Sequence, residues 1–203
     1  MKLLLSSRGW EQNQKIAKKF LRLIGKPAEA KIFLITTARK KDRDWKWVRI
    51  HIDMLKDIGI SKKNISIFSL DRKIEKDELI TMDAVYVCGG NTFLYLSGIK
   101  KTGLDKEIKK FMKNGGVYYG ISAGSVIAGP DISFVSALGD TNDIKLKNKK
   151  GLELTKLSIA PHYDNKKHKK VINGLIKKMG SSIVPLTDRQ AVEVINEKTT
   201  IIR

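Results

Sequence analysis

Short apolar runs alternate along this chain with longer stretches whose apolar positions recur every third or fourth residue. "KLLLSS" (2–7) predicts a first strand. Over 10–24, Ile16, Phe20, Leu21, Leu23 and Ile24 fall at helical spacing. "KIFLITTA" (31–38) predicts a buried strand. Residues 43–58 predict a helix with Trp47, Ile50 and Met54 on its apolar face. "NISIFSL" (64–70) alternates as a strand, and "DAVYVCGG" (83–90) is a buried strand ending in a glycine turn. Residues 104–113 predict a helix with Leu104, Ile108, Phe111 and Met112 facing inward. "GVYYGIS" (116–122) and "KLSIAPHY" (156–163) predict strands, and 167–179 a helix. "SIVPLT", "AVEVIN" and "TTIIR" close the chain as short strands, the last two as a hairpin across "EK".

Strand and helix in alternation, with strands apolar on both faces, predict an α/β fold. A mostly parallel sheet would be covered by helices on both faces, in three layers. The chain has no internal repeat and no linker rich in Pro, Gly or Ser, so one domain over 1–203 is expected. Residues 131–155 carry no clear period. Long irregular segments within compact domains often serve function. Ligand sites in such sheets lie at the carboxyl ends of the strands.

Composition changes this picture little. The formal charge of +19 raises a nucleic-acid partner. The cations, however, fall on the polar faces of "QKIAKKFLRLIGK", "IKKTGLDKEIKKFMK" and "NKKHKKVINGLIKKM", which reads as solvated helix surface. No arginine-rich arm or aromatic stacking signature accompanies them, so no nucleic acid is expected. No apolar run approaches the roughly 20 residues of a membrane helix. The first apolar stretch is too short for a signal peptide, and a cytoplasmic protein is expected. A single cysteine, Cys88, excludes an internal disulfide framework and a multi-cysteine metal site. No metal or other cofactor is expected.

The chemistry concentrates at strand ends. Gly120-Ile121-Ser122-Ala123-Gly124 fits G-x-S-x-G between an apolar strand and a helix start. Such an elbow lifts the serine hydroxyl above the sheet, and the following amide, Ala123, faces a developing oxyanion. A serine needs a base. His51 falls inside a predicted helix, as a surface or packing residue. His168 stands among Lys166, Lys167, Lys169 and Lys170. His162 follows "LSIA" and Pro161, at a strand end on the same side as Ser122. The orienting acid is sought between serine and histidine, among Asp131, Asp140 and Asp143, and Asp140 is chosen. Gly90, after the strand "DAVYV", offers the second oxyanion amide, and Asn91 and Thr92 stand ready to cap the next helix. Neither a Walker A motif nor G-x-G-x-x-G is present.

Taken together, "LLLSS", "VYVCGGNTF", "GGVYYGISAGSVIAGPDI", "LSIAPHYDN" and "IVPLTDRQAVEVI" resemble the peptidase E family of aspartyl dipeptidases, with cyanophycinase more distant. The resemblance implies a fold like that of class I glutamine amidotransferases. It implies a serine peptidase acting on short peptides without metal, with Ser122 as nucleophile and His162 as base. Gly90 and Ala123 match the oxyanion donors. The family's acid lies in the loop after the elbow, where Asp140 is the best match. Aspartyl-selective members carry an arginine downstream of the histidine. Here lysines and His168 occupy that region, with Asn91, Thr92 and His168 as substrate-binding candidates and an N-terminal acidic residue as the implied preference. The other readings are a scaffold-retaining binding protein without activity and an α/β-hydrolase esterase, which shares the Ser, Asp, His order. A monomer or homodimer is expected.

Overall fold

The structure is a computed structural model and describes residues 1–37, 43–179 and 182–203. Its strands are β1 (Lys2–Ser6), β2 (Ile32–Ile35), β3 (Ile65–Phe68), β4 (Ala84–Val87), β5 (Val117–Ile121), β6 (Ser158–Ala160), β7 (Ile183–Pro185), β8 (Ala191–Ile195) and β9 (Lys198–Ile202). Its helices are α1 (Gln14–Ile24), α2 (Trp45–Asp57), α3 (Thr92–Thr102), α4 (Leu104–Lys113), α5 (Ala123–Ile127) and α6 (Lys166–Met179). Ala38, the predicted last residue of the second strand, lies outside the described residues.

Seven strands form one sheet in the order β3-β2-β4-β5-β1-β8-β9. The pairings from β3 through β1 are parallel, and β8 and β9 add antiparallel. This is the mostly parallel α/β sheet expected. The closing hairpin turns on Asn196 and Glu197, both at positive φ, one residue earlier than "EK". Two consecutive positive φ values suit the right-handed strand twist.

Adjacent tyrosines of β5 show why the central strands are apolar throughout. Tyr119 packs on the α1 side, 5.2 Å from the Trp10 ring and 5.3 Å from Phe20, with Tyr86 edge-on at 5.0 Å. Tyr118 points to the other face, where its hydroxyl donates to the Gly124 carbonyl of α5 at 2.7 Å. Helices therefore cover both faces. Burial pushes the Tyr86, Tyr118 and Tyr119 phenols up, so they stay neutral and hydrogen-bonded in the core.

Two sequence expectations shift. Helix α2 buries Val48, Met54 and Leu55, and leaves Trp47 and Ile50 56% and 45% exposed. Its inward stripe runs through Val48 and Leu55, seven residues apart. Trp47 lies about a quarter of a turn from that stripe and Ile50 close to the opposite face of the helix. Strand β6 leaves the main sheet altogether and pairs in parallel with β7 alone.

His51, on α2, is half-buried, and its Nδ1 lies 2.9 Å from the Tyr86 hydroxyl. Burial pushes its pKa down to about 4. The unfolded chain, with an ordinary histidine near 6.5, therefore binds more protons between those two values. Stability contributed by neutral His51 is complete above pH 6.5 and is lost as pH falls toward 4. The loss is on the order of 2–3 kcal/mol, somewhat less where water reaches the ring. Urea midpoints at pH 7.5, 5.5 and 4.5 measure it. His51→Phe is expected to flatten that part of the profile.

Candidate active site

The elbow forms because the sequence places small residues where chain segments nearly touch. A Cβ at Gly120 would sit 2.5 Å from the Gly124 carbonyl carbon. One at Gly124 would sit 2.4 Å from the Val87 carbonyl oxygen. Gly124→Ala is thus expected to cost about 1–3 kcal/mol by overpacking, read as a lowered urea midpoint. Ser122 occupies φ 49°, ψ −111°, an uncommon conformation for a residue with a side chain. Several contacts hold it there. The Ser122 amide donates to the Ser6 carbonyl at 3.0 Å. The Ser125 hydroxyl stands 2.8 Å from that carbonyl and 2.7 Å from that of Gly120.

Ser122 Oγ lies 3.1 Å from His162 Nε2. His162 follows β6 and also has positive φ, at 61°. Its amide donates to Ser7 Oγ at 2.8 Å, just beyond β1. The far side of the imidazole meets Asp188: Nδ1 to Oδ1 is 2.6 Å. Ser7 Oγ donates to the same Oδ1 at 2.9 Å, and Arg8 Nε lies 3.5 Å from Oδ2. An ionised Asp188 accepts only, so the ring proton sits on Nδ1 and Nε2 presents its lone pair to Ser122. The His162 and Asp188 side chains are 29% and 25% exposed, open enough for substrate yet partly shielded.

Asp140 is therefore corrected as the acid facing histidine. Its Oδ2 accepts from the Thr92 amide at 2.8 Å, at the start of α3. The two other acids considered also serve local turns. Asp131 accepts from the Ser133 amide at 2.6 Å, and Asp143 from the Thr141 hydroxyl at 2.7 Å. A short carboxylate in a turn finds nearby backbone donors first. The irregular segment braces the neighbourhood of the site without entering it. Asn91 Nδ2 donates to the Thr141 carbonyl at 2.8 Å, while Asn91 Oδ1 caps α3 by accepting from Leu94 N at 3.0 Å. Thr92 is buried.

Asp188 and Ser7 were missed in the sequence. Asp188 follows a short strand, as His162 does, and that placement was the available signal.

Gly90 has φ 151°, and a Cβ there would come within 3.0 Å of the Tyr95 ring. Among the hydrogen bonds of the described residues, neither the Gly90 nor the Ala123 amide donates to a protein acceptor. Ala123 directly follows Ser122, and a Cβ at Gly89, the residue before Gly90, would lie 3.5 Å from that of Ser122; amides left open beside a serine are the kind of donor that can meet a developing negative oxygen. His168, on α6, has its ring 6.1 Å from that of His162, and its buried Nδ1 has no partner among the described residues. Cys88 is buried, which pushes its thiol up and keeps it protonated. Among the described residues no three His, Cys, Asp or Glu side chains converge as a metal-ligand set, and no helix is long and apolar enough to cross a membrane.

Comparison with known proteins finds peptidases similar to this chain in sequence and in fold. The sequence profile described as peptidase family S51 matches residues 3–202. An uncharacterized peptidase of Listeria monocytogenes serovar 1/2a is 35% identical over 113 residues, 54% of this chain and 55% of the relative. The chain thus aligns with about half the length of that relative. An uncharacterized peptidase of Pasteurella multocida is 26% identical over 196 residues, 91% and 90% of the two chains. A peptidase E of Escherichia coli O6:K15:H31 is 34% identical over 116 residues, 55% of this chain and 46% of that one. Among solved structures, a candidate peptidase E protein from Listeria monocytogenes EGD-e superposes with a TM-score of 0.81 at 25% identity, covering 100% and 98% of the chains. A peptidase from an acI-B1 actinobacterium shares the fold, with a TM-score of 0.70 at 14% identity over 99% and 86%.

Proposed function

Because the chain belongs to peptidase family S51, we propose that it hydrolyses short peptides by acyl transfer to Ser122. The observation that carries the reading is the continuous line Ser122 Oγ, His162 and Asp188, with contacts of 3.1 and 2.6 Å.

His162 Nε2 takes the proton of Ser122 as Oγ bonds to the substrate carbonyl carbon. The carbonyl oxygen, now negative, accepts hydrogen bonds from the amides of Gly90 and Ala123. His162 then returns its proton to the leaving nitrogen, and the C–N bond breaks. Water adds to the acyl-enzyme, passing a proton to His162, and Ser122 is regenerated as the acid product departs. Asp188 holds the ring in the tautomer that leaves Nε2 free and stabilises its charged form. The chain order of the contacting residues is Ser, His, Asp, which differs from the order shared by α/β-hydrolase esterases.

Short substrates are favoured by charge near the leaving group. Lys166, Lys167, Lys169 and Lys170 are exposed at the start of α6, around His168. A free C-terminal carboxylate one residue past the scissile bond would sit in that positive field. An N-terminal acidic residue, the preference implied by resemblance, calls instead for a cation on the acyl side. The test is labelling with a fluorophosphonate followed by peptide mapping. The expected adduct is on Ser122 alone, and is absent in Ser122→Ala. An unmodified Ser122 in folded protein would overturn the reading.

A further inference from the structure

We infer that the cavity beside the Gly89-Gly90 strip is an acyl-side subsite selecting a large apolar side chain; the inference rests on Ser122 being the nucleophile. The cavity holds about 460 Å³ and opens at the carboxyl ends of β2 and β4. Trp47, Val48, Leu94 and Ile121 supply apolar wall, with Thr36, Thr37 and His51 also lining it. Gly89 and Gly90 form the border with the elbow. A Cβ at Gly89 would lie 3.5 Å from that of Ser122.

Position decides which part of the substrate enters. The tetrahedral carbon would carry Ser122 Oγ, the oxyanion, the leaving nitrogen and the acyl residue's Cα. His162 must reach the nitrogen to protonate it, so the leaving side faces β6 and β7. Among the described residues, neither His162 nor any residue of α6 lines the cavity. The group that extends past Gly90 is then the acyl residue's side chain.

Chemistry decides what kind. Asp44 is the one carboxylate among the described lining residues, and no lysine or arginine is among them. His51 is held neutral by burial. Among these described lining residues an acidic side chain would meet Asp44 and no cation, whereas an apolar one would be taken out of water against Trp47, Val48, Leu94 and Ile121. Trp47 and Leu94 stay substantially exposed in the free protein. Apolar groups left in water around a concavity are what a ligand would cover.

The experiment compares kcat/KM for Phe-Ala, Leu-Ala, Gly-Ala and Asp-Ala on the full chain, alongside fluorophosphonate labelling. Phe-Ala and Leu-Ala are expected to exceed Gly-Ala and Asp-Ala by about tenfold or more, the worth of burying one large side chain. Leu94→Arg, at an exposed position near the start of α3, is expected to lower the Phe-Ala to Asp-Ala ratio about tenfold or more. Trp47→Ala should lower the Phe-Ala to Gly-Ala ratio by a similar factor. If Ser122 labels and peptides are cleaved, but Gly-Ala or Asp-Ala matches Phe-Ala, the subsite is overturned while the nucleophile stands. Ratios unmoved in both variants overturn it likewise. Absence of labelling at Ser122 overturns both.

Discussion

Ser122→Ala is expected to lower kcat for dipeptide hydrolysis by about 10⁴- to 10⁶-fold. Alanine replaces the hydroxyl without adding an atom to the elbow, and the backbone contacts that fix φ there come from main chain and from Ser125. The urea midpoint should therefore move little while turnover collapses. The residual rate reports what the Gly90 and Ala123 amides and substrate binding supply alone. Measurement calls for long incubations with chromatographic detection of the free amino acids, since such slow turnover escapes continuous assays. A variant that turns over at the wild-type rate would remove Ser122 from the reaction.

The second large effect separates two aspartates. Asp188→Asn is expected to reduce kcat by about 10⁴. An asparagine amide donates to Nδ1 and drives the ring proton to Nε2, where it blocks acceptance from Ser122. Asp140→Ala has a different signature. It removes the acceptor for the Thr92 amide at the start of α3 and should cost about 1 kcal/mol of stability, with kcat within a few-fold of wild type. The pair is read by steady-state kinetics and urea titration on both proteins. If Asp140→Ala lost the activity and Asp188→Asn kept it, the acid would have to be reassigned despite the 2.6 Å contact to the ring.

Local chemistry made much of this site legible in the sequence. Gly120, Ser122 and Gly124 declare the elbow because the close approach of β5, α5 and β4 admits no larger side chain. His162 is recognisable by Pro161 and the apolar run before it. What resisted reading depends on long-range placement. Asp188 lies 26 residues beyond His162, and its partnership arises from β6 and β7 pairing with each other. A strand of three residues carries no periodic signal that tells whether it joins the main sheet. The inward face of α2 is hard to read from sequence for a related reason. Trp47 and Ile50 are as apolar as Val48 and Leu55, so composition alone could not orient the helix, and Trp47 has a cavity to line.

The separate pairing of β6 with β7 has a mechanical consequence. His162 and Asp188 follow the two strands of the small sheet, while Ser122 follows β5 of the large one. Ser7, reaching from the end of β1 to the His162 amide and to the Asp188 carboxylate, acts as a rivet between the two bodies. A slight slide at that joint would carry imidazole and carboxylate as one cassette, changing the gap to Ser122 while leaving their own contact intact.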